Sequence, residues 1–147
     1  MPSPSARAAE QVEAELKRFN AKLAAYVKAF EADTLQTSVR TAFEVEGRLK
    51  ERTPVDTGRA RASWHVVLPG QSDSYTYSDN RGRSFDGTLS EAAGPWEALV
   101  GSNVRYMLPL EAGHSQQAPQ GMVRVTLREM RDEMRTAIKA GVPMRLP

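Results

Sequence analysis

The sequence predicts an α+β domain, with helices at both ends of the chain and short strands between them. Apolar residues recur every three or four positions over residues 12–49 and again over residues 123–138, which is the spacing of amphipathic helices. Between residues 63 and 101, short apolar runs alternate with Gly, Pro, Ser, Asp and Asn, a pattern typical of strands and turns. A length of 147 residues indicates one domain, so we treat residues 1–147 as a single unit.

Residues 1–52 are predicted to form the N-terminal helices. Ser5 is the expected N-cap, and no Gly or Pro follows it until Gly47. Asp33 and Thr34 indicate either a new helix or a bend, and Pro54 ends the helical region because the residue before a proline avoids helical geometry. The stripe of the first helix consists of Val12, Leu16, Phe19, Leu23, Val27 and Phe30.

The middle of the chain is predicted to hold two strands separated by a long polar segment. The strands are expected at residues 63–68 and 96–101. Residues 69–95 contain one weak strand pattern, Tyr75-Thr76-Tyr77. Because a structureless loop of this length is uncommon in a compact domain, we interpret the segment as an extended arm, loop or mobile hairpin that orders against a neighbour. Trp64 and Trp96 are expected to anchor the core or an interface.

The last third of the chain is predicted to contain a short helical turn, a loop and a final helix. The turn ends at Gly113, and residues 114–121 form the loop. Residues 121–141 are expected to begin as a strand or extended segment and to continue as a helix from about Thr126. Gly141 and Pro143 then end this helix.

Composition excludes several classes of site. With 20 basic and 18 acidic residues, the net charge of +2 is too small to indicate nucleic-acid binding by itself. The chain has no cysteine, so disulfides, thiolate metal sites and thiol catalysis are excluded. Neither His65 nor His114 has a second ligand at metal spacing, no serine lies in a nucleophile elbow, and no cofactor is expected. We find no signal peptide and no apolar run long enough to span a membrane.

Two segments of the sequence indicate a specific family, which the composition does not. Residues 52–64 read Arg-Thr-Pro-Val-Asp-Thr-Gly-Arg-Ala-Arg-Ala-Ser-Trp, and residues 100–122 contain a Tyr, a Glu-x-Gly at 111–113 and a Gln-x-Pro at 117–119. This ordered pattern, over residues 52–127, resembles the tail-completion or head–tail joining family of long-tailed bacteriophages, whose members are also described as neck proteins or minor tail components.

The resemblance implies an antiparallel sheet packed by the N- and C-terminal helices. It also implies a virion protein of the neck or tail that is assembled in the host cytoplasm. Copies would form a closed ring, expected to be a hexamer, that completes the tail and passes genomic DNA without reading its sequence. The expected neighbours are a head-closure or connector protein and the tail tube or a tail terminator. Catalysis and membrane contact are not expected.

The same resemblance selects residues for contacts between subunits. Arg59 follows the turn and is expected to meet a carboxylate, for which Glu111 is the candidate, within one subunit or between two. The full set of candidate interface residues is Asp56, Arg59, Arg61, Tyr75, Tyr77, Tyr106, Glu111 and His114.

Three alternatives remain open from the sequence. A tail terminator, which caps the tail tube, also needs a ring that fits a tube end. A small DNA-binding protein is suggested by the basic residues Arg59, Arg61, Arg81 and Arg83. A small hydrolase would require His114 to be catalytic.

Overall fold

The computed structural model describes residues 1, 3–89 and 93–141 and has the predicted α+β fold. Helices lie at both ends of the described chain, and strands lie between them. The four helices are α1 (Pro4–Arg52), α2 (Arg59–Ala62), α3 (Met107–Glu111) and α4 (Val123–Lys139).

The strands form two small antiparallel sheets in the described chain. They are β1 (His65–Val67), β2 (Ser74–Ser78), β3 (Ser84–Thr88) and β4 (Leu99–Gly101). β1 pairs with β4, and β2 pairs with β3 as a hairpin. Both predicted strands therefore exist, but each is shorter than expected, because residues 63–64 complete the turn after α2 and residues 96–98 precede β4.

Helix α1 is continuous through the position where the sequence allowed a new helix or a bend. The Thr34 hydroxyl donates to the Phe30 carbonyl at 2.8 Å, so its polar group is satisfied inside the helix. The N-cap is Ser3 and not Ser5, because the Ser3 hydroxyl accepts a hydrogen bond from the Ala6 N–H at 3.3 Å. Pro4 then occupies the first helical position, where its missing N–H costs nothing.

The chain divides into two compact units, residues 1–36 and residues 37–147. The first unit is helical from Pro4 onward. Its predicted apolar stripe is present but remains open to solvent, with side chains between 46% and 66% exposed: Val12, Leu16, Phe19, Leu23, Val27 and Phe30. Tyr26, which was not part of the predicted stripe, is 74% exposed. Within this unit the helix therefore has an apolar face that is not covered.

The core of the second unit forms where the two sheets, α2 and α3 meet the last turns of α1. Trp64 is buried there as predicted, and its indole Nε1 donates to the Thr53 hydroxyl at 2.7 Å. Trp96 is 48% exposed, so it is not a core residue. The buried cluster comprises Leu49, Ala60, Trp64, Tyr77, Val104, Met107, Ala118 and Met122.

The segment 69–95 is folded onto its own chain over most of its length. It contains the β2–β3 hairpin, and the Tyr77 side chain on β2 is buried in the core. The interpretation of an arm that orders only against a neighbour therefore needs correction for residues 74–88. Residues 90–92 of this segment lie outside the described residues.

Helix α4 begins at Val123, three residues before the expected helix start, and residues 121–122 directly before it do not form the expected strand. It ends at Lys139, close to the predicted Gly141, whereas Pro143 lies outside the described residues. Its charged residues are all exposed, and two of them also form ion pairs with α1. Arg48 of α1 donates to both carboxylate oxygens of Glu133 at 2.9 Å, and Arg52 donates to Glu129.

Candidate functional site

The turn that joins α1 to α2 is held in place from both sides. The buried Thr53 hydroxyl donates to the Leu49 carbonyl at 2.6 Å and accepts the Trp64 indole N–H. The Arg61 guanidinium donates to the Thr53 carbonyl at 3.2 Å. Gly58 closes the turn with φ +81°, a left-handed conformation that favours glycine. The Pro-Val-Asp-Thr-Gly segment therefore has a fixed conformation.

The tip of the β2–β3 hairpin packs against this turn. The Asn80 N–H donates to the Thr57 carbonyl at 2.9 Å, which joins the two segments directly. The buried Asp79 carboxylate accepts hydrogen bonds from the N–H groups of Arg81 and Arg83 and from the Arg83 side chain, at 2.8–3.0 Å. Burial alone would raise the pKa of Asp79, but these donors hold its pKa below the usual value.

Arg59 lies against the inner face of the same hairpin. Its guanidinium carbon is 4.0 Å from the centre of the Phe85 ring, the geometry of a cation–π contact. The nearby Tyr77 hydroxyl is the main cause of a raised pKa for Arg59, against the opposing effect of burial. The Arg59 Nε is buried and has no hydrogen-bond partner among the described residues. Arg59 is therefore fixed by an aromatic ring and keeps an unused donor.

Tyr77 is buried in the core of the subunit and Tyr75 is half-buried beside it, whereas the sequence suggested that both lie at a subunit interface. Their rings stack in a row that begins at His65 and ends at Phe85, with centroid distances of 4.2, 5.7 and 5.5 Å. The Tyr75 hydroxyl donates to the Ser63 carbonyl at 2.9 Å. Burial raises the pKa of Tyr75 and lowers that of His65. These rings attach the hairpin to the domain.

Glu111 caps the start of α4. Its carboxylate accepts hydrogen bonds from the backbone N–H groups of Met122, Val123 and Arg124 at 2.8–3.0 Å, and from Arg124 Nε at 3.2 Å. Burial alone would raise the pKa of Glu111, but these four donors hold it below the usual value. Gly121 has φ +82°, and a Cβ there would come within 2.5 Å of the Glu111 carbonyl oxygen.

The expected pairing of Arg59 with Glu111 inside one subunit is therefore wrong. The Glu111 carboxylate is occupied by helix N–H groups, which attract an anion because they are unsatisfied and lie at the positive end of the helix dipole. The same contact explains why α4 starts earlier than its sequence suggested. Because the cap comes from the end of α3 and not from a residue next to the start of α4, the usual N-cap signal is missing from the local sequence.

The remaining candidates lie at the surface. Asp56, Arg61, Tyr106 and His114 are all exposed. Asp56, Arg59 and Tyr106 border one open space of about 300 Å³, together with Leu110 and Gln117, which we name the turn cleft. His114 is not part of this lining, although the next residue, Ser115, is.

A second open space was not anticipated from the sequence. It has a volume of about 670 Å³, lies between the second half of α1, α4 and the β4 edge, and is mostly apolar. We name it the helix groove. Its lining includes Val45, Trp96, Val100, Leu127 and Met134, of which Trp96 and Leu127 are about half exposed. The strand run 98–100 was a partial signal for this groove.

The part of the chain that the structure describes holds neither a candidate metal site nor a membrane-spanning helix. Within residues 1, 3–89 and 93–141, no group of three His, Cys, Asp or Glu side chains is placed to hold a metal ion. None of the helices in this range is long and apolar enough to cross a membrane.

Comparison with known proteins identifies one family. Residues 17–113 match the family described as "Bacteriophage HK97-gp10, putative tail-component". The matched range covers well over half of the 147 residues and includes the turn, the hairpin, α3 and Glu111. No curated protein and no solved structure was found to match the chain.

Proposed function

Because the chain belongs to the HK97-gp10-like family of bacteriophage tail components, we propose that it is a structural virion protein that completes the tail and joins it to the head. Copies form a closed ring, expected to be a hexamer, in the neck of the particle. The ring contacts a head-closure or connector protein on one side and the tail tube or its terminator on the other. Genomic DNA passes through without sequence recognition.

The observation that carries this proposal is the presence of two open surfaces that share no lining residue, the turn cleft and the helix groove. A closed ring is built by head-to-tail contacts, in which one patch of a subunit meets a different patch of the next. The two surfaces also differ in chemistry, because the cleft is half polar and the groove is mostly apolar. A subunit with two unlike surfaces is suited to ring closure.

The turn cleft supplies the polar contact in this proposal. Its backbone is fixed by Thr53 and Gly58, so little conformational entropy is lost when a neighbour binds. Arg59 and the exposed Tyr106 both line the cleft, so a carboxylate of the neighbouring subunit would meet the positive charge of Arg59 there.

The helix groove supplies the apolar contact. Half-exposed Trp96 and Leu127 lie in one concave surface, and aromatic anchors near the centre of an interface commonly dominate its binding energy. We therefore assign assembly and not catalysis to this protein. The tail-terminator role uses the same kind of ring, and the choice between the two roles is left to the experiment below.

DNA binding is the alternative from another class, and two contacts weigh against it. Of the four arginines that suggested it, Arg83 is paired with the Asp79 carboxylate and Arg59 lies over Phe85. Only Arg61 and Arg81 are left without a carboxylate or aromatic partner in the described contacts of this region. Two such cations are too few for tight binding to duplex, which relies on many phosphate contacts.

Electron microscopy of phage particles made without this protein tests the proposal. We expect filled heads beside separate finished tails, and joined particles when purified wild-type protein is added back. Tails of uncontrolled length would assign the terminator role. Normal, infectious particles would overturn both structural roles.

A matched pair of variants links the result to the turn cleft. Arg59→Ala removes the positive charge of Arg59 from the cleft, whereas Arg81→Ala removes an exposed arginine of the hairpin tip that does not line the cleft. We expect Arg81→Ala to restore joining and Arg59→Ala to restore little, provided that both proteins are folded. Equal restoration by both variants would exclude the cleft from the assembly.

A further inference from the structure

The exposed stripe of α1 follows a heptad pattern. Apolar residues at steps of 4, 3, 4, 3 and 4 occupy the two inward positions of each heptad, conventionally a and d, from Val12 to Phe30. With Ser5 and Ala9 before them, seven of these eight positions are apolar: Ser5, Ala9, Val12, Leu16, Phe19, Leu23, Tyr26 and Phe30. A surface helix that covers a globular core needs a wider apolar face, so this narrow seam is typical of a helix that pairs with another helix.

Side-chain size indicates the direction of the pairing. In a parallel pair each residue lies level with its own copy, which would put Phe19 against Phe19, Phe30 against Phe30 and Ala9 against Ala9. In an antiparallel pair, the residues at position a of one helix lie level with the residues at position d of the other helix. One antiparallel register places Leu16 level with Phe19, Val12 with Leu23, Ala9 with Tyr26 and Ser5 with Phe30 of the second copy. Every layer then combines a smaller with a larger side chain, which fills the seam evenly.

Charge selects the same register. Glu15 and Lys22 occupy the flanking g positions, which meet each other across an antiparallel pair. In the register above, Glu15 of each copy lies beside Lys22 of the other, so two symmetric ion pairs form. In a parallel pair, Glu15 would instead meet Asn20 and Lys22 would meet Val27, and no ion pair would form.

We propose that residues 5–30 of two copies form an antiparallel coiled coil in which Val12 of one copy lies level with Leu23 of the other. The exposed stripe indicates that the helix pairs with another helix, and the size pairing and the charge pairing each select this antiparallel register. Such a dimer is isologous, whereas a ring is built head to tail. The dimer is therefore a state of the free subunit before assembly, and it does not depend on the proposed neck function.

Cysteine cross-linking of the full-length protein tests the register, because the natural chain has no cysteine. Val12→Cys and Leu23→Cys proteins are mixed and oxidised, and each is also oxidised alone. In the proposed register the mixed pair is level, whereas two identical positions are eleven residues, or about 16 Å, apart along the helix. A disulfide needs Cα atoms within about 7 Å.

The expected result is a disulfide between the two different variants and none within either variant alone. Efficient cross-linking of each variant with itself would indicate the parallel pair and overturn the proposal. Absence of all cross-links at a concentration where wild-type protein sediments as a dimer would also overturn it. A wild-type protein that sediments as a monomer at high concentration would do the same.

A charge exchange provides the second test. Glu15→Lys places two like charges at each former ion pair, and we expect dimer dissociation to become about tenfold more favourable. Adding Lys22→Glu restores opposite charges and should restore the wild-type dissociation constant. Glu10→Lys, which changes the same charge away from the seam, is the control. An unchanged dissociation constant in Glu15→Lys, measured by sedimentation equilibrium, would contradict the proposed register.

Discussion

Glu111 shows how one side chain serves a purpose different from the one its sequence context suggested. The Glu-x-Gly motif pointed to Arg59 as a partner within one subunit or between two, and the carboxylate instead accepts three consecutive backbone N–H groups at the start of α4. Gly121 makes this contact possible, because a residue without a Cβ allows the chain to approach Glu111 closely. The motif therefore specifies how a loop and a helix join inside the subunit.

Replacing Glu111 with Gln tests this role. The amide presents one acceptor where two are needed and removes a negative charge from the helix N-terminus. We expect the free energy of unfolding to fall by about 2 kcal/mol. Urea denaturation measures the change, and Glu51→Gln, at an exposed position of α1, is the control with no expected effect. Equal stability of the two variants would show that the cap contributes little.

The same carboxyl predicts a pH dependence. Because the folded protein holds the pKa of Glu111 below its unfolded value of 4.5, the ionised form stabilises the fold at all pH values above about 4.5. This stability is lost as pH falls from 4.5 through the lowered pKa of the folded state. The stability difference between wild type and Glu111→Gln should therefore shrink below pH 4.5. A difference that stays constant down to pH 3 would contradict the cap.

At the scale of elements, the β2–β3 hairpin depends on a contact between a ring and a glycine. Tyr75 lies directly opposite Gly87 in the strand register. A Cβ on Gly87 would lie 2.5 Å from the Tyr75 ring, so the ring covers the glycine. This position lets Tyr75 stack on His65 and reach the Ser63 carbonyl. The hairpin is thereby attached to the domain at a point where no larger residue fits.

Gly87→Ala should displace the Tyr75 ring and weaken the attachment of the hairpin. We expect a loss of about 1–3 kcal/mol, the usual cost of overpacking. Gly82→Ala is the control in the same hairpin. Its φ of +73° costs about 1 kcal/mol, but its Cβ would meet no atom. Hydrogen exchange separates the two, because only Gly87→Ala should speed exchange along both strands. Similar exchange in both variants would argue against the ring contact.

The elements that could be predicted from the sequence are those with local signals. The stripe of α1, the turn at residues 54–58 and the short helix before Gly113 follow from periodicity and turn chemistry. Strand β3 was missed because Asp86 and Gly87 have low strand propensity. In the structure Gly87 is covered by the Tyr75 ring, and Asp86 lies opposite Thr76 and accepts a hydrogen bond from its hydroxyl. The start of α4 was missed because its cap is Glu111, eleven residues before Met122, and the pairing of Arg48 with Glu133 was missed because these residues are 85 positions apart.

At the scale of the whole molecule, we expect the open surfaces of the second unit to make the contacts used in assembly. The second unit buries Trp64 and attaches its hairpin internally, while the helix groove remains open. The groove was not apparent from the sequence because its lining comes from four separate parts of the chain. The sequence selected Asp56, Arg59 and Tyr106 as interface candidates, and all three border the turn cleft; of the groove lining it indicated Trp64, Trp96 and the strand residues 98–100.

Leu127→Lys tests the groove in assembly. A lysine there would put a charge into an apolar concave surface, so we expect the yield of joined particles to fall at least about tenfold, as for loss of an interface anchor. Ile138→Lys makes the same change on α4 at an exposed residue outside the groove, and should assemble normally. Because Leu127 and Ile138 are both exposed in the folded protein, we expect the two variants to have similar thermal unfolding temperatures. Normal assembly of both would exclude the groove from the ring.

The different surroundings of the two tryptophans have a spectroscopic consequence. Trp64 is 6% exposed and its indole is hydrogen-bonded, so it should emit at short wavelength and resist quenching by acrylamide. Trp96 is half exposed and should emit at long wavelength and be quenched readily. Both tryptophans line the helix groove, but binding of a neighbour there would shift mainly the second component, because Trp64 is already buried. The unmodified protein thus carries one intrinsic fluorophore that reports folding and another that reports assembly.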